Sequence, residues 1–183
     1  SVSSGYREEG YYPEAVINFL ALLGWHATGD QEMYTMQELI EQFSLERVSK
    51  SGAKFDYEKG KWFNHQYLQL RSNEELAEQF MPYLEKAIGD GLLAIDKATV
   101  AKVIGLTKDR VNFVSELWEQ VNFFFVAPEE YDEKSLKKRW KEDSPKHMTE
   151  MLALLEAHDD WSAEGLDNLI MPWIAEKEYG VGI

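Results

Sequence analysis

The chain contains no cysteine among its 183 residues, which excludes a disulfide framework and any metal site built on thiolates. Its four histidines are scattered, and none has a second histidine at the four-residue spacing of a helical metal-binding pair. The sequence also lacks a signal peptide and any apolar run long enough to span a membrane. We therefore expect a soluble cytoplasmic protein that has no metal site and no membrane partner.

Motifs that carry chemistry are missing as well. No glycine-rich phosphate loop is present, since Gly180-Val-Gly182 is only a fragment of one and opens no helix. Adjacent carboxylates such as Glu8-Glu9 and Asp159-Asp160 are common in a chain with 33 acidic residues, so they do not indicate an acid–base pair. The sequence predicts no catalytic residue.

The net charge of −14 disfavours nucleic-acid binding when it is averaged over the chain, but the charge is uneven. From Arg47 to Arg71 there are six basic and two acidic residues, so this basic island carries +4 and the remainder −18. A second basic cluster comprises Lys134, Lys137, Lys138, Arg139 and Lys141, and neighbouring acids partly offset it. Composition alone favours solvated helix faces as the interpretation of both clusters.

The hydrophobic pattern is helical almost throughout and predicts an all-α fold. A buried helix begins at Pro13 and stops at Gly24, which we expect to act as a C-terminal glycine cap. Thr35 and Ser72, each followed three residues later by glutamate, predict capping boxes. These boxes start helices at about 36–43 and 73–88.

Other helix starts are less regular. Asp56 is predicted to cap a helix that runs to about residue 70, and Thr107 and Ser162 are predicted to cap two later helices. Helices are predicted at about 96–104, 108–124, 133–157 and 163–178. The segment 48–55 has no helical period, so we expect at most a short strand element there.

Aromatic residues in the second half of the chain could serve as stacking platforms for bases. They are Trp118, Phe123, Phe124, Phe125, Trp140, Trp161 and Trp173. Their helical spacing favours core packing instead. Val111, Val114, Trp118 and Val121 are likewise spaced as a stripe that faces a core.

Two blocks carry a resemblance to a known family. The first is Gly5-Tyr-Arg-Glu-Glu-Gly-Tyr-Tyr-Pro-Glu-Ala-Val-Ile-Asn-Phe-Leu-Ala-Leu-Leu-Gly-Trp25, and the second runs from Phe43-Ser-Leu-Glu-Arg47 through Phe55-Asp56 to Trp62-Phe-Asn64. Both resemble the region that follows the nucleotide-binding domain in bacterial glutamyl-tRNA synthetases. The resemblance is strong over residues 5–70 and weaker beyond.

The resemblance implies a division into residues 1–70, a stem-contact region, and residues 71–183, the first part of a helical anticodon-binding region. It implies that the whole enzyme is a monomer that attaches glutamate to tRNA(Glu) with ATP and Mg²⁺. This chain would lack the catalytic domain, bind no cofactor and be inactive alone, with that domain as its neighbour in the same chain.

The resemblance also implies the residues that contact tRNA. They are Arg47, Lys50, Lys54, Lys59 and Lys61 in the basic island, with Lys108 and Arg110 beyond it. Arg110 is predicted to lie in the first turn of the helix after Thr107, a neighbourhood associated in the family with reading the last anticodon base. Its guanidinium can make paired hydrogen bonds to a base or phosphate, but an exposed arginine without a role fits the pattern equally well.

The run from Arg47 to Ser51 resembles the lysine–serine loop of class I synthetases, and we reject that interpretation. In the family this run lies downstream of the true loop, which would precede residue 1. Two alternatives for function stay open: a non-discriminating synthetase that also charges the glutamine tRNA, and a helical protein-interaction module without an RNA role.

Overall fold

A computed structural model describes residues 5–26, 29–50, 52–89, 95–128 and 130–177. Within these ranges the chain forms nine α-helices and no β-strand, which confirms the predicted all-α fold. The helices are α1 (Pro13–Gly24), α2 (Met36–Gln42), α3 (Tyr57–Gln69), α4 (Asn73–Ile88), α5 (Lys97–Gly105), α6 (Leu117–Val121), α7 (Glu133–Arg139), α8 (Ser144–Glu156) and α9 (Ala163–Glu176). Short 3₁₀ turns occupy Leu45–Arg47, Lys108–Arg110, Val114–Glu116 and Asn122–Phe124. None of the described helices is both long and apolar enough to cross a bilayer.

Most helix starts are capped as predicted. Thr35 and Ser72 each complete a capping box, in which their side chains and a glutamate three residues later satisfy the free N–H groups of the first turn. Asp56 accepts hydrogen bonds at the start of α3, and Ser162 does so at the start of α9. The sequence therefore predicted these four starts from local chemistry alone.

Two predicted features differ in the structure, and a third, at most a short strand element over 48–55, agrees with it. Gly24 is the last residue of α1 and has no left-handed conformation, because Trp25 is extended and makes an isolated antiparallel bridge with Val48. The described part of 48–55 contains this single bridge and no strand. Ser51 lies outside the described residues. The predicted helix 133–157 is two helices, since Trp140 is extended and α8 restarts with Pro145 in its first turn.

The predicted helix over 108–124 is also wrong. Val111 and Phe113 have extended backbones, so the segment is a series of short turns followed by α6. The hydroxyl of Thr107 caps nothing there and is buried, 3.4 Å from the carbonyl oxygen of Val103. The apolar spacing nevertheless correctly predicted burial, because Val111, Val114 and Val121 lie in the core.

The chain folds as two units, Ser1–Ala127 and Pro128–Ile183. In the first, α1 packs on α3 around Phe19 and Phe63, and α4 packs on α5 around a larger apolar cluster that includes Phe80 and Ile104. In the second, Gly165 is the one buried residue among the described residues of α7, α8 and α9. The boundary near residue 70 rests on the resemblance and stays a prediction.

Several aromatic side chains that we expected in the core are exposed. Phe123, Phe124, Trp140 and Trp161 retain 58, 47, 52 and 63% of their accessible surface. Helical spacing overestimated their burial because the helices around 122–140 are short and irregular.

Candidate nucleic-acid interface

Residues 108–113 cross the surface of α3 and are held there by its polar side chains. Asn64 is fully buried, and its side-chain amide donates to the carbonyl oxygen of Asn112 at 2.6 Å. The Asn64 carbonyl oxygen accepts from the backbone N–H of Tyr12 at 2.8 Å. One buried side chain thus joins the start of α1 to the 108–113 segment.

Two further residues of α3 bind the same segment. The Nδ1 atom of His65 lies 2.7 Å from the carbonyl oxygen of Val111, so this nitrogen carries the proton that it donates. The side-chain amide of Gln69 donates to the carbonyl oxygen of Lys108 at 2.7 Å. With Asn64, these contacts satisfy three backbone carbonyls of a segment in which a single 3₁₀ turn is the only regular secondary structure.

The far end of the segment is fixed by a carboxylate and an aromatic pair. Glu116 accepts from the backbone N–H groups of Asn112 and Phe113 at 2.7 and 3.2 Å. The Phe113 ring meets Tyr11 edge to face, with ring centroids 4.8 Å apart. The backbone on both sides of residues 110–111 is therefore anchored.

Arg110 projects from this anchored segment. It ends the 3₁₀ turn Lys108–Arg110 rather than lying in the first turn of an α-helix, and it is exposed. No carboxylate in the described part of the chain pairs with its guanidinium. Lys108 is half-buried, and its ammonium donates to the carbonyl oxygen of Arg71 at 3.2 Å. Arg110 is thus the more accessible cation of the two.

The basic island divides into accessible and engaged cations. Lys50 and Lys54 are exposed, and neither forms an ion pair within the ranges that the structure describes. Arg47 is exposed at the end of a 3₁₀ turn, and its carbonyl oxygen accepts from the backbone of His26. The accessible part of the island therefore lies before α3.

The two lysines on α3 are engaged with carboxylates. Lys59 pairs with Glu32 and lies 4.2 Å from the centre of the Trp62 ring, a cation–π contact. Lys61 pairs with Glu58 at 2.9 Å, and this hydrogen bond raises the pKa of the Lys61 ammonium. A phosphate would have to compete with these partners, so we expect the two lysines to contribute less than Lys50 and Lys54.

A buried amide positions the partner of Lys59. Asn18 is fully buried, donates to the carbonyl oxygen of Glu32 at 2.9 Å and accepts from the backbone N–H of Tyr34 at 2.8 Å. The Tyr67 hydroxyl of α3 lies 2.7 Å from the Tyr34 carbonyl oxygen. Burial raises the pKa of both tyrosine hydroxyls, so they stay neutral.

Sequence reasoning did not single out the polar face of α3. Asn64, His65 and Gln69 contact no ligand here; they hold the backbone that presents Arg110. A partial signal was available, because His65 and Gln69 are four positions apart and therefore lie on one face of α3. Arg71 is likewise structural: it pairs with Glu14 at 3.2 Å and lies 4.3 Å from the centre of the Tyr12 ring.

Comparison with protein families identifies the class of protein. The family model described as "Anticodon binding domain" matches residues 75–183, which is more than half of the chain. The chain therefore belongs to the anticodon-binding domain family. A second model, "tRNA synthetases class I (E and Q), catalytic domain", matches residues 1–62, the part that holds α1, α2 and all cations of the basic island except Arg71.

The particular proteins that the chain resembles are glutamate–tRNA ligases. It is 58% identical over 181 residues to that of Bacteroides thetaiotaomicron and 45% identical to that of Flavobacterium johnsoniae, in each case over 99% of this chain and 35% of the relative. The chain thus spans about a third of the length of the curated relatives that it matches.

Solved structures agree with this assignment. A glutamate–tRNA ligase of Elizabethkingia meningosepticum, crystallised with its amino acid, is 40% identical and superposes with a TM-score of 0.88 over 97% of this chain and 34% of that one. The ligase of Elizabethkingia anophelis is also 40% identical, with a TM-score of 0.83 over 98% of this chain and 34% of that one. The resemblance predicted from the two sequence blocks is confirmed.

Proposed function

We propose that this chain docks tRNA(Glu) for a glutamate–tRNA ligase. The observation that carries the proposal is the anchored segment 108–113, which presents the unpaired Arg110 guanidinium from within the anticodon-binding family match. A fixed backbone lowers the entropy lost when an arginine binds a base or a phosphate. Lys50 and Lys54 supply accessible positive charge for the tRNA backbone, in the part that matches the class I model.

The two regions would have different tasks. Phosphate contacts from Lys50 and Lys54 position the RNA and carry little sequence information. A paired contact from Arg110 can distinguish bases, because the guanidinium fork matches two acceptors at once. In this proposal the basic island sets most of the affinity, whereas Arg110 sets discrimination at the last anticodon base.

In the whole ligase, glutamate would be activated with ATP and Mg²⁺ and transferred to the tRNA. The described residues include no group of three histidine, cysteine, aspartate or glutamate side chains that could hold a metal ion. We therefore assign no step of this chemistry to the residues of this chain. Their contribution is to bind and orient the tRNA, in the cytoplasm and as a monomer.

The proposal is tested by titrating the purified chain with a tRNA(Glu) transcript at several salt concentrations. We expect weak binding that falls steeply with salt, because each neutralised phosphate releases counterions. The double variant Lys50→Gln/Lys54→Gln should weaken binding and flatten the salt dependence. Lys61→Gln is the matched control, since Lys61 is already paired with Glu58, and it should change both quantities less.

The remaining outcomes separate the alternatives. No RNA binding at low salt would favour a protein-interaction module and overturn the proposal. Equal affinity for the glutamate and glutamine tRNAs would favour a non-discriminating ligase, which keeps the docking role but changes the partner.

A further inference from the structure

The second basic cluster forms the most concentrated positive charge in the second unit. Residues 134–141 contain five cations, flanked by Asp132, Glu133, Glu142 and Asp143, so that residues 132–143 carry a net charge of +1. The consecutive Lys137, Lys138 and Arg139 lie within one turn of α7, well inside the Debye length of about 8 Å in physiological salt, so their potentials add. Within the described residues only Lys137 has a carboxylate partner, Glu133, at 3.5 Å, and both side chains are more than four-fifths exposed.

A small cleft lies on the same helix. Its volume is about 180 Å³. It is lined by Tyr131, Asp132, Ser135, Leu136, Arg139 and Trp140. This is smaller than the roughly 300 Å³ of sites for drug-sized ligands, and its size suits one planar ring system.

The chemistry of the lining suits an unpaired nucleotide. Tyr131 and Trp140 contribute exposed aromatic surface, at 65 and 52% accessibility, and Leu136 adds an apolar wall. Arg139 also lines the cleft. Unstacked RNA bases are bound in this way, by aromatic faces together with cations that contact the adjoining phosphate.

One carboxylate lines the cleft and must be accounted for. Asp132 caps α7, and its Oδ1 accepts from the backbone N–H of Ser135 at 2.8 Å. Hydrogen bonds from the Ser135 hydroxyl and backbone N–H lower the pKa of Asp132, so it stays ionised. Asp132 lies at the start of α7, whereas Lys138 and Arg139 lie at its end.

We propose that the Tyr131–Trp140 cleft of α7 is a second RNA contact, which stacks one unpaired base while the surrounding cations bind its phosphates. This inference rests on the proposed tRNA docking, but α7 contains none of the residues to which that docking is assigned. Because base stacking tolerates any base, the cleft adds affinity for single-stranded RNA without reading sequence.

The test compares a short RNA hairpin, which has a single-stranded loop, with a blunt RNA duplex of the same length. Trp140→Leu should lower the affinity for the hairpin by about fivefold or more. The affinity for the duplex should be unchanged, and Trp140→Phe, which keeps an aromatic face, should bind both RNAs almost like wild type. Replacing Lys138 and Arg139 by glutamine should weaken binding to both RNAs and reduce the salt dependence.

Trp161→Leu is the matched control. Trp161 is an equally exposed tryptophan of the same unit, but its neighbours are Asp159 and Asp160, so its removal should leave both affinities unchanged. Circular dichroism confirms that each variant is folded.

The other outcomes are decisive. An unchanged hairpin affinity for Trp140→Leu, or an equal loss on hairpin and duplex, would overturn the cleft and leave the docking role standing. If wild type binds neither RNA, this inference fails, whereas the docking role is decided separately by the titration with tRNA(Glu).

Discussion

The side-chain amide of Asn64 donates to the carbonyl oxygen of Asn112, 48 positions further along the chain, at 2.6 Å. Its carbonyl oxygen simultaneously accepts from the backbone of Tyr12. No other residue type of this size can donate to one backbone and accept from another in this geometry. The position of Arg110 therefore depends on a residue that is itself fully buried.

Asn64→Leu should destabilise the first unit. The substitution leaves the N–H of Tyr12 and the carbonyl of Asn112 without their partner, at a cost of about 1–3 kcal/mol for each group that stays buried. The free energy of unfolding in urea measures the loss. Asn168→Leu, at an exposed position of α9, is the control and should be close to neutral.

A second consequence of Asn64→Leu concerns RNA. Since the 108–113 segment loses an anchor, tRNA affinity should fall even under conditions in which the variant is fully folded. An unchanged affinity in the folded variant would show that Arg110 needs no anchored backbone.

Arg110→Ala should change discrimination rather than affinity alone. If the guanidinium makes a paired base contact, its removal should cost about 1–3 kcal/mol on the tRNA with the correct last anticodon base and little on one substituted there. Arg110→Lys should behave like Ala, because an ammonium lacks the fork. Binding of the two tRNAs by each variant measures this; equal losses on both would make Arg110 a phosphate contact.

The capping box of α2 predicts a pH dependence. Hydrogen bonds from the backbone and hydroxyl of Thr35 lower the pKa of Glu38 below its unfolded value. Its stabilising contribution is therefore fully present above the unfolded pKa and is lost as the pH falls through the lowered folded value. The urea midpoint of wild type should exceed that of Glu38→Gln near neutral pH, and the difference should shrink in acid.

Two glycines should respond oppositely to alanine. A β-carbon at Gly165 would collide with the backbone carbonyl of Asp160, so Gly165→Ala should destabilise the second unit. Gly24 has nothing within 4 Å of an added β-carbon, and alanine is the better helix former, so Gly24→Ala should be neutral or slightly stabilising. Thermal unfolding followed by circular dichroism compares the two variants; similar losses in both would contradict the steric explanation.

Local chemistry made much of the fold predictable. The capping residues at positions 35, 56, 72 and 162 accept hydrogen bonds from N–H groups within three positions, so the helix starts can be predicted from neighbouring residues. The segment 108–113 was mispredicted because its backbone is satisfied by α3, about 40 or more positions earlier. The apolar spacing of this segment is visible in the sequence, but the distant side-chain amides that replace its helical hydrogen bonds are not.

The sequence and the resemblance indicated which cations to consider for the candidate interface, but not which of them already have carboxylate partners. Sequence alone places seven cations in two segments, yet Lys59 and Lys61 are engaged by Glu32 and Glu58, whereas Lys50 and Lys54 are accessible. The Lys59 pair depends on a contact 27 positions away and on the buried amide of Asn18 that orients it. Such long-range pairing has no signature in a linear charge count.

The contacts around Tyr11 and Tyr12 have a mechanical consequence. These residues lie in the stretch matched by the class I model, whereas Phe113 and Gln79, which they meet, lie in the stretch matched by the anticodon model. A ring contact at 4.8 Å and a hydroxyl–amide bond at 2.7 Å leave little freedom for a hinge at this junction. The two matched stretches of the first unit should therefore move together at this junction, so that a displacement of the stretch matched by the anticodon model is transmitted to α1.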